Sequence, residues 1–214
     1  MPSRIQIKLF VFLVLAIVAA VLFSRGQSPS LKDLASTSSY AVTGVGLILL
    51  FWNRWLWSWW IFRPWLSKRP DLRGTWKGVL HSEYLDPATQ QRSGPIDVYL
   101  VIRQTNSDIN VRLFSAESSS VSLSGNLISD GVDVNTLVIT YRTEPQLFKR
   151  EQSPIAYGGM LLNVRGDKVY QLDGEYWTDR LTRGEAKFTT RSRMICHDFG
   201  QASQATNQAL RASG

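Results

Sequence analysis

From Leu9 to Phe23 the chain runs fifteen residues without a charge, and a segment of that kind has to leave water. With Ile5 to Lys8 added it reaches about 19 residues, enough at 1.5 Å each to cross roughly 30 Å of hydrocarbon. Lys8 can snorkel to the headgroups. The competing reading is a cleaved signal peptide, with Arg4 and Lys8 as its basic flank and Ala19–Ala20 as its small residues. A second apolar segment soon afterwards makes a membrane hairpin the simpler expectation. That segment spans from about Ser38 to Trp55 and continues along the interface to about Trp65. Six of the eight tryptophans fall between Trp52 and Trp65. Indole prefers the headgroup level, where its ring is apolar and its N–H still meets water.

Charge gives the orientation. The net charge of +7 invites a nucleic-acid reading, because basic proteins release counterions from phosphate backbones. Its distribution argues otherwise. Residues 1–70 hold 8 of the 24 Lys+Arg and only Asp33 of the 17 acids, which leaves 16 of each sign in residues 71–214. The excess therefore brackets the apolar segments, and a long nucleic acid is not expected as a partner. Arg4 and Lys8 lie before the first segment, and Arg54, Arg63, Lys68 and Arg69 follow the second. The positive-inside rule then puts both termini in the cytoplasm. A single cysteine, Cys196, excludes an intramolecular disulfide framework.

From Pro70 onward the texture changes to short alternating runs. Strands are expected near 73–84, 95–104, 108–115, 119–127, 134–143, 155–165, 168–178 and 184–194. In the second, Ile96, Val98, Leu100 and Ile102 share one face, and in the third Ile109, Val111 and Leu113 do. Val121, Leu123 and Leu127 repeat the pattern in the fourth. Asn106–Ser107, Ser129–Gly131, Gly166–Asp167 and Thr182–Gly184 supply turns. Eight short strands joined in sequence favour an up-and-down antiparallel barrel, which leaves no open edge; a two-layer sandwich is the alternative. The expected fold is thus two N-terminal transmembrane α-helices followed by an all-β domain. The parts are a two-helix membrane anchor over 1–69, a β-barrel over 70–196 and a polar tail over 197–214. That tail lacks a core-forming pattern and reads as frayed or marginally helical.

No catalytic constellation emerges, and an enzyme is not expected. The serines at 118–120 have no histidine nearby in sequence, and His81 and His197 are too few for a metal cluster. Cys196–His197 matches no nucleophile–base arrangement. No cofactor or metal is expected. A binding site fits better. Gly74–Gly78 contains Trp76, Thr140–Thr143 contains Tyr141 and Arg142, and Gly174–Arg180 contains Tyr176, Trp177, Thr178 and Arg180. Aromatic rings stack on nucleobases at about 1–3 kcal/mol each, and Arg forks grip phosphate. The candidate ligand-binding residues are those seven, with Ser119 as a polar contact. Alternation puts Tyr141 and Arg142, and likewise Tyr176 and Trp177, on opposite faces, so some of them must be structural.

Two apolar segments, a basic junction, LRGTWKG at Leu72–Gly78 and GEYWTDRLTRG at Gly174–Gly184 together resemble the SMODS-associating two-transmembrane, β-strand-rich effectors of bacterial CBASS anti-phage systems. The resemblance covers most of the chain. It implies a cytosolic barrel at the inner membrane that receives a cyclic oligonucleotide second messenger, with a cyclic dinucleotide the expected species. It also implies homo-oligomerisation on activation and disruption of the membrane lipids, leading to abortive infection. Two readings compete: a tethered lipocalin-like barrel carrying a lipid, whose interior would be uniformly apolar, and a side-chain-filled barrel serving only as an interaction module.

Overall fold

The computed structural model describes residues 11, 12, 15–17, 19, 20, 23, 31–59, 69–84, 94–129, 135–147, 154–166 and 168–213. The chain forms two compact units, one of residues 1–68 with 105–107 and one of residues 69–104 with 108–214.

In the first unit the described residues between 11 and 23 are helical, and α1 runs Leu31–Arg54 before a short 3-10 turn at Leu56–Ser58. The helix starts ahead of the apolar stretch. Its first turns carry Lys32, Asp33 and a run of Ser and Thr. Among the described residues no helix is long and apolar enough to cross a membrane. Much of the first apolar segment, and Trp60 to Trp65, lie outside the described residues.

The second unit is a closed barrel of eight antiparallel strands in the order β1 to β8. They are Gly74–Ser82, Ile96–Gln104, Ile109–Ser115, Ser118–Ser129, Asn135–Pro145, Ala156–Arg165, Gln171–Thr178 and Arg183–Ser192. Pairing of β1 with β8, from Thr75 opposite Ser192 to Ser82 opposite Gly184, completes the ring and excludes the sandwich. Strand alternation fills the interior with Trp76, Leu80, Leu100, Ile102, Val111, Ile139, Leu162, Leu172 and Phe188. An eight-stranded barrel is just wide enough for such side chains to fill it.

The fourth strand departs from the expected pattern. A register shift between Ser122 and Ser124 bulges Leu123 out of the ladder. Val121 pairs with the outward Arg142, and Leu123 is 63% exposed. Leu127, beyond the bulge, returns to the core beside Leu137. The inward positions before the bulge are Ser120 and Ser122. A bulge inserts one residue and flips the alternation on one side of it, which simple periodicity misses.

Of the two readings of the polar tail, the helical one holds, with packing that its composition did not suggest. Residues Phe199–Ser213 form a helix, α2, that packs on the outside of β1, β2 and β8. Ala202, Ala205 and Thr206 are buried at helical spacing. They cover Tyr99, Val101 and Phe114, which point away from the barrel interior, together with Cys196. Thr75 ties the preceding segment down: its Oγ1 donates to Met194 O at 2.7 Å and accepts from Cys196 N at 3.3 Å.

The chain enters the barrel through a charged latch. The Nε of Arg73 donates to Asp71 Oδ1 at 2.9 Å, while Arg191 lies 3.4 Å from the same carboxylate and donates to Arg73 O. Burial alone would raise the Asp71 carboxyl, but the hydrogen bonds and charge of Arg73, with Arg191, outweigh it and hold it below the ordinary aspartate value. A depressed carboxyl adds stability that is present above the unfolded value and lost as pH falls through the folded one. Asp71→Asn should therefore lower stability near neutral pH by about 1–3 kcal/mol, the cost of weakening a charged hydrogen-bond cluster. That deficit should shrink as pH falls below about 4, the ordinary aspartate range, read from denaturant midpoints of both proteins.

Candidate functional site

The two ends of the barrel differ in chemistry. Where the chain enters, Leu72 and Trp76 are fully buried and seal the interior. Trp76 Nε1 donates to Leu72 O at 2.9 Å, and the Arg191 guanidinium lies 5.2 Å from its ring centroid. Gln104 closes the same end, accepting from Leu72 N at 2.8 Å and donating to Pro70 O at 3.0 Å.

The opposite end is lined by hydroxyls. The register turns Ser120, Ser122, Tyr141, Thr143, Tyr176 and Thr178 to the inside there, with Gly158 between them. Ser120 Oγ and Thr143 Oγ1 share a hydrogen bond at 2.8 Å, and Ser122 Oγ accepts from Val111 N at 2.9 Å. Tyr141 OH donates to Trp177 O at 3.3 Å. Gly158 makes room for that phenol: a Cβ there would stand 2.8 Å from Tyr141 Cζ. Burial, with Tyr176 beside it, pushes the Tyr141 phenol above its ordinary value, so it is a neutral hydrogen-bonding group at physiological pH.

Beneath these groups lies a cavity of about 10 Å³, bounded by Leu100, Val111, Ile139, Met160 and the Ser120, Ser122 and Tyr141 side chains. It has room for about one water. This cavity therefore cannot enclose a ligand larger than a water. This mixture of a hydroxyl-lined mouth and a solid interior does not suit a lipid chain, which needs a long apolar cavity.

A larger recess, about 1010 Å³, runs along the outer wall of β6, β7, β8 and β1. Trp177 stands there, 45% exposed, with its indole over Gly159. Along it Glu83 pairs with Arg183 and Asp173 with Arg165, while Glu175 and Glu185 share the lining with Lys187 and His81. Acids and bases are thus nearly balanced along this wall, with two of the four carboxylates held in ion pairs.

The sequence candidates therefore separate. Tyr141, Tyr176 and Thr178 meet at the mouth, and Arg180 stands exposed on the β7–β8 turn at its rim. Trp76 closes the other end. Ser119, Arg142 and Trp177 face outward; Ser119 lies opposite Glu144, and Arg142 ion-pairs with Glu144. Ser120, Ser122 and Thr143 escaped the sequence reading. Serine at every second position from Ser118 to Ser122 was the available signal, since it marks one polar face of a strand.

The Ser120–Thr143 bond also separates stability from binding. Replacing both hydroxyls with apolar groups, as in S120A/T143V, should leave denaturant stability within about 1 kcal/mol, because no partner is stranded. The same double variant should weaken ligand binding at the mouth by roughly tenfold, measured by calorimetry.

Comparison with known proteins agrees with this architecture. Residues 67–190 match the family model described as Cap15, cyclic dinucleotide receptor domain. CD-NTase-associated protein 15 of Staphylococcus schleiferi is 30% identical over 176 residues, covering 82% of this chain and 87% of that protein. With the matched region running from ahead of β1 into β8, the chain belongs to the Cap15 cyclic dinucleotide receptor domain family.

Proposed function

We propose that this chain is a membrane-anchored, non-catalytic effector of CBASS anti-phage defence whose barrel binds a cyclic dinucleotide at its hydroxyl-lined mouth. The observation that carries the reading is the mouth itself, in a chain of this family. Tyr141 and Tyr176 offer ring faces and phenol hydroxyls for two bases, Ser120, Thr143 and Thr178 offer base-edge or ribose partners, and Arg180 stands at the rim to meet phosphate.

In this proposal residues 1–69 anchor the protein in the bacterial inner membrane through two spans, with both termini cytoplasmic. The flanking basic residues and the tryptophans from Trp52 to Trp65 support that arrangement. Ligand binding favours an oligomer of the full chain, since a ligand shifts an equilibrium only through its different affinity for the two states. Clustered anchors then disrupt the lipid bilayer. A filled interior disfavours the lipid-carrier alternative.

Calorimetry on the detergent-solubilised full chain tests the binding step, using cyclic di-AMP, cyclic di-GMP, cyclic di-UMP, a linear dinucleotide and a fatty acid. Saturable binding of one cyclic species, without the linear dinucleotide or the fatty acid, is expected. Binding of the fatty acid alone would reject the reading.

A further inference from the structure

The β7–β8 hairpin reverses through Thr178–Asp179–Arg180–Leu181–Thr182. Leu181 N donates to Thr178 O at 3.1 Å, and Thr178 N donates to Thr182 O at 2.9 Å, so a tight turn is followed directly by a bulge. Leu181 takes the residue position in the left-handed region, with φ 58. Hairpins of this kind normally place glycine there, because a side chain in that conformation crowds its own backbone. A bulky branched residue at positive φ is a genuine outlier. The same barrel follows the ordinary rule at the β6–β7 turn, where Gly166 takes φ 85.

Packing does not compensate Leu181. Its side chain is 94% exposed. The turn is nevertheless held in place: Asp179 N donates to Tyr157 O at 2.8 Å, and Asp179 Oδ1 accepts from Tyr157 N at 3.1 Å. A leucine here is therefore unfavourable twice, in backbone conformation and in exposure to water. Strain of this sort persists where a function uses it.

We infer that Leu181 is a ligand-contact residue that caps the outer face of one base of a cyclic dinucleotide seated in the mouth. The inference rests on the mouth reading proposed above. Thr178, which lines the mouth, and Leu181 are the first and last residues of one turn, and Tyr157, half-exposed, is hydrogen-bonded to that turn from β6. A base presents a flat apolar face, and an aliphatic side chain gains by covering it. A phosphate would gain nothing from leucine.

The test compares wild type, Leu181→Gly and Leu181→Ala as detergent-solubilised full chains. The readouts are the melting temperature without ligand and calorimetric affinity for cyclic di-AMP, cyclic di-GMP and cyclic di-UMP. Leu181→Gly should raise the melting temperature by about 2–4 °C by relieving the strained position. It should also weaken the cyclic dinucleotide that wild type binds by about 5–30-fold. Leu181→Ala keeps the strain and should lose affinity without gaining stability. Unchanged affinity in both variants, or no rise in melting temperature for Leu181→Gly, overturns the inference while the mouth reading stands. Failure of wild type to bind any of the three species defeats the mouth reading, and this inference with it.

Discussion

Trp76→Ala is expected to remove about 3–5 kcal/mol of stability, the range for truncating a buried aromatic side chain without collapse of the cavity. Trp76 is fully buried, its indole N–H is hydrogen-bonded to Leu72 O, and the Arg191 guanidinium lies over its ring. Truncation leaves a void at the sealed end and strands the Leu72 carbonyl. Trp177→Ala, in contrast, removes a half-exposed ring from the outer wall and should cost about 1 kcal/mol or less. Denaturant unfolding of both variants checks the pair. Two tryptophans in similar sequence settings thus differ several-fold in effect, because the barrel wall separates them.

Tyr176→Leu is expected to weaken cyclic dinucleotide binding by about 10–100-fold, the loss of one base-stacking face. Leucine keeps much of the apolar volume that Tyr176 contributes against Met160 at the mouth, so the barrel should stay folded. Calorimetry on the variant, with a melting curve beside it, reads both quantities. Trp177→Ala is the matched control. Its ring lies on the outer wall, away from the mouth, so its binding loss should be within about threefold.

The barrel was legible because its information is local. Alternation in β2 and β3 and the turn residues between runs gave strand positions close to those observed, and sequential joining gave the up-and-down order. Two features escaped for physical reasons. The helix Phe199–Ser213 docks through Ala202, Ala205 and Thr206, residues too small to register as an apolar stripe. The sign of a cover was on the other strand: Tyr99 and Val101 are large residues on the outer face of β2. The β4 bulge had no marker in sequence, and it reversed which residues reach the interior. Within the site, aromatic and cationic residues were legible as types but not as neighbours. Adjacent positions such as Tyr176 and Trp177 end on opposite sides of one wall.

The opposing roles of the two ends follow from the same register. The entry end is sealed by Leu72, Trp76 and Gln104 and braced by Asp71, Arg73 and Arg191. The mouth end keeps Ser, Thr, Tyr and Gly at inward positions, so hydrogen-bonding groups gather there and apolar ones at the other end.

Photocrosslinking addresses that assignment most directly. A cyclic dinucleotide carrying an azido group on one base is bound to the detergent-solubilised full chain, irradiated, and the labelled residues are mapped by mass spectrometry. Labels are expected on Tyr141, Tyr176, Thr178 or the 179–182 turn, competed away by unmodified ligand. Competed labels confined to Trp177, Glu185 and Lys187 on the outer wall, or to Trp76 at the sealed end, would contradict that assignment.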